Sequence, residues 1–149
     1  ACFDYRAEAG VRPQVIEVFG DRQVGKTEMV MSSALLHAAE GKQVLWLAPL
    51  KKAAVDVLHR YSHWRQSAHP LGRVIDLVRF AHGSERVESG DGRIVFRSVN
   101  APGRGVLPNV IVCDEVEFTP AVLSALMPAM IRAEKMYVLT CSGELPCGD

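Results

Sequence analysis

The sequence predicts an α/β fold: a mostly parallel sheet with helices on both faces and a small β-hairpin inserted into that plan. Three observations carry this. Apolar, β-rich runs alternate along the chain with stretches of helical periodicity, the pattern of strands buried beneath helices on both sides. The first such run, Val15–Phe19, is followed by Gly20-Asp21-Arg22-Gln23-Val24-Gly25-Lys26-Thr27, which fits G-x-x-x-x-G-K-[ST] at each fixed position and leads into a helical stretch. A later apolar run, Asn109–Cys113, passes directly into two carboxylates, Asp114 and Glu115.

The elements follow in order. Val15–Phe19 is a strand, and a helix is expected from Lys26 to about Ala39. In that helix Met29, Ser33 and Leu36 share one face, flanked by Val30, Ala34 and His37. Gly41 is placed to end it. Gln43–Ala48 reads as a second buried strand closed by Pro49, and Ala53 to about Trp64 as a helix. Arg73–His82 carries Val74, Leu77 and Val78 as an apolar stripe and reads as helical. Arg86–Glu88 and Arg93–Ser98 flank a Gly90-Asp91-Gly92 turn and make the expected hairpin insertion. Asn100–Pro108 is a Gly/Pro-rich loop, and Val110–Cys113 a third buried strand. Thr119-Pro120 has the form of a helix cap followed by proline at the first helical position, with a kink or restart expected at Pro128. Met136–Thr140 is the last strand.

Size and composition bound what this plan can be. The 149 residues suit one domain, 1–149, and 48% hydrophobic with 23% charged residues is the composition of an ordinary globular chain. No apolar run approaches the roughly 20 residues of a membrane helix, and no signal-peptide pattern opens the chain. Seventeen basic and seventeen acidic residues give a formal net charge of zero, so no bulk basic field points to nucleic acid. Cys2, Cys113, Cys141 and Cys147 form no C-x-x-C pair, which argues against a zinc site and for a reducing, cytoplasmic setting. The chain begins at Ala1 and reads as a piece of a longer protein.

The glycine-rich segment carries the clearest chemistry. Its glycines let the backbone curl so that several N–H groups point inward at phosphate oxygens, and the following helix adds its partial positive end. All eight residues, Gly20 to Thr27, are therefore candidate triphosphate contacts. Lys26 is expected at the β- and γ-phosphates and the Thr27 hydroxyl on Mg²⁺. The second half of the site is Asp114-Glu115. A carboxylate at the carboxyl end of a buried strand suits a hydrated Mg²⁺, and its neighbour suits activation of water against the γ-phosphate. Asp114 is the candidate metal residue and Glu115 the candidate general base. No guanine-reading N-K-x-D occurs, so ATP with Mg²⁺ is the expected cofactor pair.

Four segments, in order, resemble the ATPase half of the large terminase subunit, the DNA-packaging motor of tailed bacteriophages. They are Gly20–Thr27, especially Arg22-Gln23-Val24-Gly25-Lys26-Thr27; Val44-Leu45-Trp46-Leu47-Ala48-Pro49; Gly103-Arg104-Gly105 leading to Asp114-Glu115; and Tyr137-Val138-Leu139-Thr140-Cys141-Ser142. The resemblance implies a P-loop NTPase of the additional-strand type that hydrolyses ATP to drive double-stranded DNA into a capsid. It implies that Arg22 contacts the γ-phosphate and that Arg104 is a finger reaching a neighbouring subunit's nucleotide. Thr140 and Ser142 would sense the γ-phosphate, or else simply close a strand. Implied partners are DNA, a portal protein, a small terminase subunit and further copies of the chain in a ring, in the cytoplasm of a bacterial host.

The pattern also departs from that family. Gln14 stands too close to Gly20 to match the family's adenine-recognition segment, and no nuclease domain fits in the chain. Two rivals stay open: a helicase-like P-loop ATPase, and a non-catalytic nucleotide-binding fragment of a packaging complex. Among lesser signals, Lys51-Lys52 is a candidate DNA contact or a solvated pair. His59, His63 and His69 are expected at the surface or in helix packing, and Trp46 and Trp64 in the core.

Overall fold

A computed structural model describes residues 13–20, 25–100 and 107–141. Their strands form one seven-stranded sheet in the order β1-β7-β6-β2-β5-β4-β3. The strands are β1 (Gln14–Gly20), β2 (Gln43–Ala48), β3 (Leu77–Arg79), β4 (Arg86–Ser89), β5 (Gly92–Ser98), β6 (Val110–Asp114) and β7 (Lys135–Cys141). Pairing from β1 across to β5 is parallel, and β4 and β3 complete the sheet antiparallel.

Strand alternation divides the central residues between two cores. Val44, Trp46, Val110, Val112, Tyr137 and Leu139 face α1 (Lys26–Ala39) and α2 (Lys51–Gln66). Leu45, Leu47, Ile111, Cys113, Met136 and Val138 face α3 (Pro120–Arg132) through its Leu126 and Met130. Each of those fully buried apolar side chains contributes about 1.5–3 kcal/mol relative to exposure. The central strands are thus covered on both faces, as their apolar runs require, whereas β1 at the sheet edge is only partly buried, with Glu17 and Phe19 exposed.

Local signals explain the helix ends. Gly41 has φ 93°, its N–H donates to Ala38 O at 2.8 Å, and Lys42 N–H donates to His37 O at 3.2 Å. That paired closure satisfies carbonyls at the end of α1 and needs a residue that tolerates positive φ. Thr119 Oγ1 accepts from Val122 N at 3.2 Å, capping α3 with Pro120 at its first position.

Several expectations need correction. The hairpin is not an insertion. β5 pairs in parallel with β2 along its length, and Ile94, Val95 and Phe96 are buried, so β4 and β5 are integral to the sheet. The helix expected over Arg73–His82 is a short 3₁₀ segment, Pro70–Val74, followed by β3, because Leu77–Arg79 finds hydrogen-bonding partners in β4. The buried stripe of α1 is Val30, Met31, Ala34, Leu35 and Ala38, with Met29 and Leu36 turned to solvent. α3 runs from Pro120 to Arg132 through Pro128 as one helix, without restarting.

Other expectations are met. Trp46, Trp64 and Cys113 are buried, and burial pushes the Cys113 thiol far up, as for a thiol packed as an apolar filler. No helix among the described residues is long and apolar enough to cross a membrane.

Candidate functional site

The carboxyl ends of the parallel strands gather the chemistry. β1 ends at Gly20, and α1 starts at Lys26 after Gly25, which adopts φ 77°. A residue with a Cβ would pay about 1–2 kcal/mol for that left-handed conformation. Gly25 also offers no side chain to cap α1, so the first-turn N–H groups keep their affinity for an anion.

Lys26 is the central side chain. It is only 2% exposed, and Nζ donates to Thr140 O on β7 at 2.7 Å. Nζ also lies 3.6 Å from Glu115 Oε2. A buried ammonium must be compensated by acceptors or an opposite charge, and this lysine has both. The contact joins α1, β6 and β7 at one edge. Asp114, directly before Glu115, is also electrostatically coupled to Lys26, so this corner joins the lysine with both carboxylates.

Glu115 is held by its backbone. It is the sole non-glycine residue with positive φ among the described residues, at 56°, and its N–H donates to Leu139 O at 3.0 Å. Such a conformation in a residue bearing a Cβ costs on the order of 1–3 kcal/mol and is concentrated at functional sites. The bend turns the chain off β6 directly after Asp114.

Asp114 shares the face of β6 that carries Val112, on the side of α1 and α2. Burial raises its pKa, and the neighbouring Glu115 charge raises it further; Trp46, Lys26 and Arg60 oppose the shift. The Asp114 carboxylate and the Thr27 hydroxyl are hard oxygen donors of the type Mg²⁺ takes. Two buried side-chain polar atoms among the described residues make no well-formed hydrogen bond: Trp46 Nε1 and Thr140 Oγ1. They belong to the strands on either side of β6. The orphaned Thr140 hydroxyl, on the residue whose carbonyl binds Lys26, fits a site that expects a polar ligand.

The candidates separate as follows. Lys26, Glu115 and the Thr140 backbone are in contact. Asp114 is electrostatically coupled to Lys26 and Glu115. Gly20, Gly25 and Thr27 stand at the strand-to-helix connection. Asp21, Arg22, Gln23, Val24, Arg104 and Ser142 lie outside the described residues.

Lys51 is not an unattached cation. Its Nζ lies 2.8 Å from Glu85 Oε2, on a side chain only 5% exposed, and 3.1 Å from His82 Nδ1. His59 packs against the Phe80 ring and His69 stacks on Trp64 at 3.9 Å, both structural contacts. Two features went unread in the sequence. Nothing local marks Glu115 as left-handed, and Trp46 was read only as core; its polar edge, in a strand next to a carboxylate-ended strand, was the available signal.

The sequence matches no protein-family model and no curated protein. Among solved structures, the large terminase ATPase domain of Thermus phage P74-26 aligns with TM-score 0.57 at 14% identity, and an arginine-to-alanine variant of it with TM-score 0.55 at 17% identity. Each alignment covers 94% of this chain and 64% of the other. The chain thus spans less than two thirds of the domain it resembles, and what it shares with that domain is the fold.

Proposed function

We propose that this chain is a Mg²⁺-dependent ATPase unit of a DNA-packaging motor of the large-terminase kind, a P-loop fold of the additional-strand type. The observation that carries the reading is the contact of buried Lys26, at the start of α1, with Glu115 beyond β6 and Thr140 O on β7. A lysine buried at a helix N-terminus against a carboxylate beside a second carboxylate is the arrangement phosphoryl transfer uses. The terminase-like fold supports the same reading.

The chain's own groups would divide the work. The first-turn N–H groups of α1 and the ammonium of Lys26 bind triphosphate oxygens, Nζ leaving Glu115 as it does so. Glu115 Oε2 orients a water and accepts its proton as the water oxygen bonds the γ-phosphorus and the bond to the β,γ-bridging oxygen breaks, releasing ADP and phosphate. Asp114 and the Thr27 hydroxyl would hold Mg²⁺, which when bound neutralises phosphate charge. Arg22 would add a guanidinium to the γ-phosphate, and Arg104 would reach the nucleotide of a neighbouring copy. Thr140, whose hydroxyl is buried without a partner, would register the γ-phosphate.

The test is steady-state ATP hydrolysis by this chain with Mg²⁺, with and without double-stranded DNA. Hydrolysis that DNA stimulates is expected of a motor. Nucleotide binding without turnover in either condition would mark a non-catalytic binding unit instead.

A further inference from the structure

Trp46 sits in β2 opposite Val112 of β6 in parallel register, two residues before Asp114. Trp46, Val112 and Asp114 share one face of the sheet, since residues two apart along a strand point the same way. Adjacent strands lie about 4.8 Å apart and two residues rise about 6.6 Å, so the two Cα atoms are roughly 8 Å apart, within the span of an indole side chain. The ring is fully buried and held on two sides, edge-on to Tyr61 at 6.5 Å and tilted against Phe96 at 6.0 Å. Tyr61 is itself fixed by donating its hydroxyl to Met31 O of α1 at 2.6 Å. Packing therefore sets the direction of the indole N–H, and that N–H closes no hydrogen bond of good geometry.

An orphaned buried donor costs about 1–3 kcal/mol, so a buried indole N–H needs an acceptor. The Asp114 carboxyl is the acceptor within electrostatic reach.

We propose that the Trp46 indole N–H is the positioning donor for Asp114: it holds one carboxylate oxygen so that the other is presented to Mg²⁺. Trp46 touches neither metal nor nucleotide; it acts through Asp114. A neutral donor suits this place, because a lysine or arginine would compete with the metal for the carboxylate. Outer partners of this kind typically change metal affinity by about 10–100-fold when removed. The metal role rests on the ATPase reading above, while the pairing of Trp46 with Asp114 does not.

The experiment uses ¹⁵N-labelled protein, in which Trp46 and Trp64 give the two indole N–H resonances, assigned with Trp64→Phe. In the nucleotide-free protein, Asp114→Asn is expected to shift the Trp46 resonance and leave that of Trp64 in place. Adding Mg²⁺ with a non-hydrolysable ATP analogue is expected to shift the Trp46 resonance in wild type. Trp46→Phe is expected to weaken Mg²⁺ affinity about tenfold, to leave metal-free nucleotide affinity unchanged, and to cause no further loss in an Asp114→Asn background. A Trp46 resonance indifferent to Asp114→Asn overturns the pairing, and the NMR arm answers this even where Trp46→Phe does not fold. A shift with Asp114→Asn in a protein that binds no nucleotide keeps the pairing and overturns the ATPase reading.

Discussion

The ammonium of Lys26 lies 3.6 Å from Glu115 Oε2, so the residue proposed for phosphate touches the residue proposed for water. Nucleotide must compete with that contact. Glu115→Gln removes both the competition and a negative charge facing the triphosphate. ATP affinity is expected to rise roughly two- to fivefold, the scale of a partly exposed ion pair worth up to about 1 kcal/mol. Turnover is expected to fall by about 100-fold or more, as for loss of a general base. Fluorescent-nucleotide titration beside phosphate release measures both.

Lys26→Ala is expected to abolish nucleotide binding and also to weaken the empty protein. It deletes the buried charge-assisted hydrogen bond to Thr140 O, a loss of about 1–2 kcal/mol after the relief of burying the ammonium is set against it. Urea unfolding without nucleotide reports the second effect. Equal stability in wild type and variant would remove Lys26 from any structural role.

Asp114 gives a pH dependence with a definite sign. Its folded pKa is raised above the ordinary 3.8, first by burial and then by the Glu115 charge. Folding therefore favours the protonated form. The stabilisation is fully present below about pH 3.8, and is lost as pH rises through the folded value. Ionised Asp114 destabilises the metal-free protein at neutral pH. Asp114→Asn is expected to raise its melting temperature at pH 7, with the advantage vanishing as pH falls toward 3.8. Thermal melts across that window, without Mg²⁺, measure it.

Lys51 and Lys52 are expected to behave differently although they are neighbours. Lys51 balances the nearly buried Glu85 carboxylate and ties the loop before β4 to the start of α2. Lys51→Ala is expected to cost about 1–2 kcal/mol, a buried-pair loss discounted because the lysine is itself partly exposed. Lys52→Ala is expected to leave stability within about 0.5 kcal/mol, as for an ordinary surface change. If this face binds DNA, Lys52→Ala would instead lower the salt dependence of DNA binding.

What the sequence made legible depended on how local the cause was. β2, β6 and the middle of β7 are apolar runs bounded by turn residues, so their burial on both faces could be read from composition; β1, with Glu17 and an exposed Phe19 at the sheet edge, reads the same way but is only partly buried. The Thr119-Pro120 cap and the Gly41 stop are likewise decided within a few residues. Around Leu77–Arg79 the spacing of Val74, Leu77 and Val78 also fits a helix, and the strand form comes from pairing with β4. Tertiary context of that kind overrides a weak periodic signal. At the site, the residue types and strand ends were legible, but the relations between them were not. The Lys26–Thr140 bond, the left-handed Glu115 and the approach of Trp46 to Asp114 arise only when β2, β6 and β7 lie side by side.

The most direct measurement takes one set of samples, wild type, Glu115→Gln and Lys26→Ala, and reads radiolabelled ATP bound and phosphate released in the presence of Mg²⁺. Wild type is expected to bind and release phosphate, Glu115→Gln to bind and retain ATP, and Lys26→Ala to do neither. Phosphate release by Glu115→Gln equal to wild type, or ATP binding undiminished in Lys26→Ala, would contradict the proposed site.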